Sequence, residues 1–525
     1  ENLFDSDPFS YTGFLNHLLF CCNDGSELYW ERGCNMIHFQ DIQFRYEGTI
    51  SSEIGVKDIN LIVHTGECVL LCGRSGCGKT TLTKLINGLI PNYFPGELSG
   101  NVQIDDENIL GMPMYYLATK VGSVFQNPRT QFFNVDVDSE IAFGIENIAV
   151  PPDELHQRLE YTLDSLKIRK LQGKNIFELS GGEKQKIAFA SVYAMNPDIF
   201  LLDEPSSNLD GDSIRDLKNY LRILKQQGKT ILIAEHRLYY LLDIADRIVY
   251  LADGKIEKIY TPQEFRSLSG ATRKHMGLRT TDIQDVHPIS YQRTFSRPIL
   301  TVKDVSLFYK KHPVLEHISL QASKGDIIGV VGPNGAGKTT FLRTLCGLHK
   351  EFTGCFYWRE QPQKETERMK RSYMVMQDVN YELFADSVEA ECSFGIQGSS
   401  PELVEKTLDE LGLLTVRDRH PNTLSGGQKQ RVAVAVSMIC GKEVLVFDEP
   451  TSGLDYDSME QVSGLIRELS KDKVIFVVTH DYEFVCQTCT RLIRFDHHTM
   501  TNDILLSQEN EATILSLMGL GRDER

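Results

Sequence analysis

The chain has 525 residues, 41% apolar and 24% charged, which excludes a wholly disordered polypeptide. At roughly 150 residues per domain its length predicts three or four domains, or two large ones. Lys and Arg number 55 against 72 Asp and Glu, a net charge of −17 that argues against a nucleic-acid binder. No apolar run approaches the ~20 residues of a bilayer span. The stretch 14–22 is broken by Asn16 and His17 and lacks the basic flank of a signal peptide, so a soluble or peripheral protein is expected. The twelve cysteines are too scattered for a disulfide framework, and the pair Cys486 and Cys489 reads as two ordinary buried thiols.

In chain order, residues 1–35 read as an N-terminal extension with no counterpart elsewhere. The apolar run 68–72 predicts a strand, followed by Gly73-x4-Gly78-Lys79-Thr80 and the helical run 82–89. Strand, glycine loop and helix in that order make a phosphate-binding loop. Gly73, Ser75, Gly76, Gly78 and Thr81 belong to it: backbone N–H groups wrap phosphate at the positive end of a helix. Lys79 is expected on the β- and γ-phosphates and the Thr80 hydroxyl on Mg2+. Cys77, inside the loop near a helix N-terminus, is expected to be an acidified, reactive thiol. Tyr46, upstream in an F-x-Y context, can stack on adenine or pack in a local core. Gln126, after the apolar VGSVF, can accept a metal-bound water or sense the γ-phosphate.

LSGG follows at 179–182. The run 199–202 then ends in Asp-Glu-Pro, as a central parallel strand buried on both faces would. Asp203 is placed to hold Mg2+ through water and Glu204 to orient the attacking water. His236 closes another apolar strand and is expected near the γ-phosphate. A stretch rich in Ser, Thr, Arg and Gln, 266–297, reads as a linker.

The same elements then return in the same order. Gly332, Asn334, Gly335, Gly337, Lys338, Thr339 and Thr340 repeat the loop, with Tyr309 upstream. Gln377, LSGG at 424–427, Asp448, Glu449 and His480 repeat the rest. The step from LSGG serine to strand aspartate is identical in the two copies. The first copy carries extra residues between its glycine loop and LSGG. Residues 519–525 read as a tail.

This combination resembles the ATP-binding cassette (ABC) ATPases, for which LSGG is specific, over both copies. The resemblance implies an α/β fold of two tandem P-loop NTPase (ABC ATPase) domains, 36–265 and 298–518. Each would have a RecA-like α/β core, an antiparallel β subdomain and an α-helical signature subdomain. It implies an intramolecular head-to-tail cassette dimer with ATP between the phosphate loop of one copy and the LSGG helix of the other. Site one would use Lys79, Thr80, Gln126, Asp203, Glu204 and His236, closed by Ser425, Gly426 and Gly427. Site two would use Lys338, Thr339, Gln377, Asp448, Glu449 and His480, closed by Ser180, Gly181 and Gly182. Mg2+ would rest on Thr80, Gln126 and Asp203, and on Thr339, Gln377 and Asp448. Neither copy lacks a motif, so two competent sites are expected. The departures are Glu183 against Gln428 and Asn208 against Gly453.

VFQNP at 124–128, QFF at 131–133, AFGIEN at 142–147 and EHR at 235–237 are similar to the energy-coupling factor (ECF) type. That similarity implies an ATP-hydrolysing motor on the cytoplasmic face of the membrane, with a membrane T component and a small substrate-binding S component, importing a vitamin or metal ion. Sugar or peptide transport is the alternative, and a soluble twin cassette acting in translation a more distant one, because 257–298 makes a poor helical arm. In ABC ATPases the stretch after Gln126 receives the membrane subunit. Here Phe132 and Phe133 with Asp136, Asp138 and Glu140, and in the second copy Tyr381, Phe384, Asp386 and Glu389, are expected to form that surface.

Overall fold

The computed structural model describes residues 35–47, 55–289, 297–377, 379–396, 399–424 and 426–521. Ser425, Asp378 and the side chain of Tyr381 therefore lie outside the described residues, as does the extension before residue 35. The described residues form one compact unit.

Each cassette is built on a six-stranded sheet. In the first, the order is Lys255–Tyr260, Arg247–Ala252, Cys68–Gly73, Thr230–Ala234, Ile199–Asp203, Val121–Val124. All neighbours are parallel except the hairpin of the first two. The second repeats this with Ser372–Val375, Val444–Asp448, Val474–Val478, Ile327–Val331, Arg491–Asp496 and Thr499–Leu505. The strand Ile199–Asp203 explains why a continuous apolar run was required. Phe200 and Leu202 enter the core on the helical side, while Ile199 and Leu201 enter the core shared with the antiparallel subdomain. Side chains alternate across a strand, so covering both faces leaves no position for a polar residue until the strand ends. Leu445 and Phe447 against Val444 and Val446 divide in the same way.

The antiparallel subdomains pair Asn35–Tyr46 with Val56–His64 and Gly96–Ile104, and Leu300–Tyr309 with His312–Ala322 and Phe352–Trp358. The helical subdomain of the first cassette contains Val137–Asn147, Pro152–Ser165 and Gly181–Met195. In the second it contains Val388–Ser393, Pro401–Glu410 and Gly426–Ile439, the first two of them shorter than their counterparts.

The stretch expected as a linker is structural over its described part. Phe265, Met276 and Leu278 are buried in the core of the first cassette, and Ile283 and Val286 pack against that of the second. The first cassette thus runs on to Leu278, past the expected edge at 265. A signal was present: Met276-Gly277-Leu278 returns as Met518-Gly519-Leu520. Among the described residues no helix is long and apolar enough to cross a membrane.

Candidate nucleotide sites at the seam between the cassettes

Both phosphate loops wind through positive φ at Gly73, Gly76 and Gly78, and at Gly332, Gly335 and Gly337. At two of these the constraint is also spatial. A Cβ on Gly73 would meet Leu251 O at 2.2 Å, and one on Gly332 would meet Phe495 O at 2.0 Å. Only glycine lets the loop lie on the neighbouring strand. Lys79 Nζ donates to Gly73 O (3.0 Å) and Arg74 O (3.1 Å); Lys338 Nζ donates to Gly332 O (2.7 Å) and Pro333 O (3.0 Å). Burial holds the Lys338 ammonium below its ordinary pKa.

Thr80 Oγ1 donates to Asp203 Oδ1 at 3.1 Å and Thr339 Oγ1 to Asp448 Oδ2 at 2.8 Å, joining loop to strand end identically in both copies. Burial raises both aspartates. A desolvated carboxyl beside a hydroxyl is a hard-oxygen pair that a divalent cation would complete, so these residues fit Mg2+.

The next residue is held harder. Glu204 and Glu449 adopt left-handed backbone, φ 46 and 54, as non-glycine residues rarely do. Burial pushes each carboxyl up to about 8. His236 Nε2 lies 3.6 Å from Glu204 Oε1, and His480 Nε2 lies 3.6 Å from Glu449 Oε1. Burial, then the facing Lys79 or Lys338, drives both imidazoles well below their ordinary pKa, so they are neutral at pH 7.

The two halves meet across these loops. Ser75 N donates to Asp455 Oδ2 of the second cassette (2.7 Å), and Asn334 N to Asp210 Oδ2 of the first (3.0 Å). Burial alone would raise Asp455 and Asp210, but Ser75 N–H and Asn334 N–H, with Ser458 and Ser213, hold both below the usual carboxylate range. A Cβ on Gly182 would be 3.1 Å from Asn334 Nδ2, so the first LSGG faces the second phosphate loop. Ser180 caps its helix in a capping box with Glu183.

One sequence departure separates the sites. Gly453 lies against site one, where a Cβ would meet Glu204 Oε2 at 2.6 Å and Gln126 Nε2 at 2.7 Å. With no side chain intruding, Gln126 Nε2 donates to Glu204 Oε2 at 2.7 Å. In site two the counterpart, Asn208, accepts from Gln377 Nε2 at 3.1 Å and from Ser452 Oγ at 2.9 Å. Gln377 is thereby turned away from Glu449, whose Oε1 is buried without a hydrogen-bond partner.

Three expectations need correction. Cys77 is buried and its thiol is raised, because desolvation outweighs the nearby Lys79 ammonium. Phe132 packs against the first core rather than standing on the surface. Glu140 is buried and accepts from Phe133 N (3.0 Å) and Asn134 N (2.8 Å), so it is an anchor rather than a rim charge. Phe133, in contrast, is 74% exposed and Phe384 70%. Tyr46 is half-buried with its hydroxyl 3.1 Å from Thr81 Oγ1, while Tyr309 is exposed. Cys486 and Cys489 are free thiols in the second core.

Fold and motifs define a duplicated P-loop protein of the ATPase class, with two candidate nucleotide sites that each draw residues from both copies. The chain belongs to the ABC transporter family, whose model matches residues 56–207 and 315–452. A relative from Treponema denticola, provisionally named an ABC transporter ATP-binding protein, is 48% identical across 91% of this chain and 98% of its own length. One from Methanosarcina acetivorans, with the same provisional name, is 32% identical across 89% and 90%. A structure of ribosome-bound archaeal Pelota and ABCE1 contains a chain matching 91% of this one and 81% of its own length, at 23% identity and TM-score 0.66; that likeness concerns the fold.

Proposed function

We propose that the chain is the ATP-hydrolysing subunit of a membrane importer of the energy-coupling factor type, taking up a vitamin or metal ion, with two active ATP sites. The observation that carries the two-site reading is the reciprocal pair Ser75–Asp455 and Asn334–Asp210, by which each phosphate loop is completed by the opposite cassette. ATP would leave Lys79 and Lys338 free to exchange their loop carbonyls for phosphate oxygens. Tyr46 and Tyr309 would lie beside the adenine. Thr80, Asp203 and Gln126, and Thr339, Asp448 and Gln377, would hold Mg2+, which when bound neutralises phosphate charge. Glu204 and Glu449 would accept the proton of the attacking water. The neutral His236 and His480 would hold their glutamates and the γ-phosphate without adding charge. The LSGG helices, Ser180 to Gly182 and Ser425 to Gly427, would close the opposite sites with N-terminal N–H groups.

The transporter reading is supported by the provisional names of the relatives, and its importer form by the ECF-like loop. It is also supported by two exposed aromatics, Phe133 and Phe384, at equivalent places after Gln126 and Gln377. Between the cassettes, the described residues hold short helices and no long arm of the kind a translation factor would use. The membrane partners would be a T-type spanning subunit and a small substrate-binding subunit, with this chain peripheral on the cytoplasmic face. Phe133→Asp with Phe384→Asp should abolish co-purification with a membrane subunit and substrate uptake, leaving ATP binding within about twofold. Uptake that survives the pair would move the docking surface elsewhere; a native protein that associates with no membrane subunit would overturn the importer reading.

A further inference from the structure

Two guanidiniums are buried at the seam, Arg237 and Arg279, and neither belongs to a nucleotide site as described so far. Arg237 follows His236. Its Nη1 donates to Ser206 O at 3.1 Å and Leu209 O at 3.4 Å. Those carbonyls belong to the loop ending in Asp210, which completes site two. The second copy cannot repeat this, because the residue after His480 is Asp481. The carbonyl of Leu454, counterpart of Leu209, nonetheless accepts from a guanidinium. The donor is Arg279 Nη1 at 3.4 Å, from the segment that joins the cassettes.

Arg279 is fixed on every side. Nη2 donates to Asp481 Oδ1 at 2.5 Å and Nε to Glu483 Oε2 at 2.7 Å, while Thr280 N donates to Glu483 Oε1 at 3.1 Å. Asp481 Oδ2 in turn accepts from Thr451 Oγ1 at 3.0 Å, so both ends of the loop 451–454 hang on this pair. A planar fork between two carboxylates fixes direction as well as charge. The same segment is clamped against site one. Arg74, inside the first phosphate loop, donates through Nη2 to His275 O (2.7 Å) and through Nε to Asp457 (2.7 Å), and Tyr456 N donates to Gly277 O (3.2 Å). The counterpart of Arg74 is Pro333, and that of Arg279 is Gly521, so neither guanidinium is repeated at site two. Arg237 and Arg279 line one cavity of about 20 Å3.

We propose that Arg279 is a positioning residue for site one, through which the segment joining the cassettes sets the loop that carries Asp455. Arg237 performs the same task for site two from within the first cassette. The inference rests on the two-site ATP reading given above, and adds to it that only one of the sites is governed by the interdomain segment.

The test uses the full chain and 8-azido-ATP with Mg2+, with photolabelled peptides assigned to the first or second phosphate-loop region. Arg279→Lys keeps the charge and loses the fork. It should raise the nucleotide concentration for half-labelling at site one by about tenfold and at site two by less than about twofold, in keeping with loss of charge-assisted hydrogen bonds. Arg237→Lys should do the reverse. Arg279→Ala with Asp481→Arg moves the guanidinium to the place where the first cassette carries it, and should recover site one to within about threefold of native. Equal shifts at both sites, no shift in either single variant, or a double variant that labels site two normally but not site one would overturn the proposal. Native protein that labels at neither loop would overturn the two-site reading, and the proposal with it.

Discussion

Glu204 and Glu449 each combine a left-handed backbone with a buried carboxyl raised to about 8 from 4.5. A carboxyl whose folded pKa exceeds its unfolded value stabilises the fold fully below about 4.5, and that stability is lost as pH rises through about 8. The nucleotide-free protein should therefore melt at a lower temperature at pH 9 than at pH 6. Glu204→Gln with Glu449→Gln, uncharged throughout, should flatten that slope and raise the pH 9 midpoint by a few degrees, at about 2–4 °C per kcal/mol. Thermal melts across pH check it; an unchanged slope would remove these carboxyls as its source. The same variant should retain MgATP while losing phosphate release, because an amide cannot take the water's proton. Both glutamates were legible because Asp-Glu-Pro ends a fully apolar run. Cys77 misled because the loop position spoke for a low pKa while burial, invisible along the chain, decided it.

At the scale of elements, the loops bearing Phe133 and Phe384 are held from beneath by the same device. Glu391 Oε2 accepts from Phe384 N and Ala385 N, both at 2.7 Å, as Glu140 does from Phe133 N and Asn134 N. Phe133 stacks on Phe143 with centroids 4.9 Å apart. Two N–H groups on one buried carboxylate fix the loop more firmly than its exposed tip suggests. Glu140→Ala leaves both donors unsatisfied and should cost about 1–3 kcal/mol in urea unfolding, with membrane-subunit binding weakened and ATP binding kept. A loss below about 0.5 kcal/mol would show the loop to be held otherwise. The sequence placed aromatics and carboxylates on this stretch, but not which of them turn inward. Period and spacing assign residues to an element, whereas inward or outward depends on the helix Gly181–Met195 packed against Val137–Asn147.

At the scale of the whole molecule, duplication was readable because four motifs recur in order. Which LSGG faces which phosphate loop came through the family resemblance alone; the rest of the seam was not readable, since no spacing says which residue of one copy faces which of the other. Arg237 against Asp481, and Asn208 against Gly453, are single-letter differences whose meaning appears only across the interface. The recurring Met-Gly-Leu is three residues long, between dissimilar flanks. Its second copy covers Gly211, where a Cβ would meet Gly519 O at 2.6 Å and Met518 O at 2.7 Å. Gly211→Ala should therefore pry the seam at site two, raising KM for ATP about threefold or more while the melting midpoint of the cassettes changes little. An unaltered KM would mean that the seam yields without cost.

The Met-Gly-Leu crossing has one more consequence. Each copy buries its own Met276 or Met518 and lays the adjoining glycine on the helix that follows the opposite loop, Tyr456–Ser470 or Gly211–Gln226. The instruction for embracing a partner is thus written in each half, independently of the covalent tether. Two polypeptides separated between the halves already contain the handclasp. What fusion adds is encounter frequency, an effective concentration in the ~mM range for a short connection, together with the freedom for the halves to drift apart in sequence while never choosing the wrong mate.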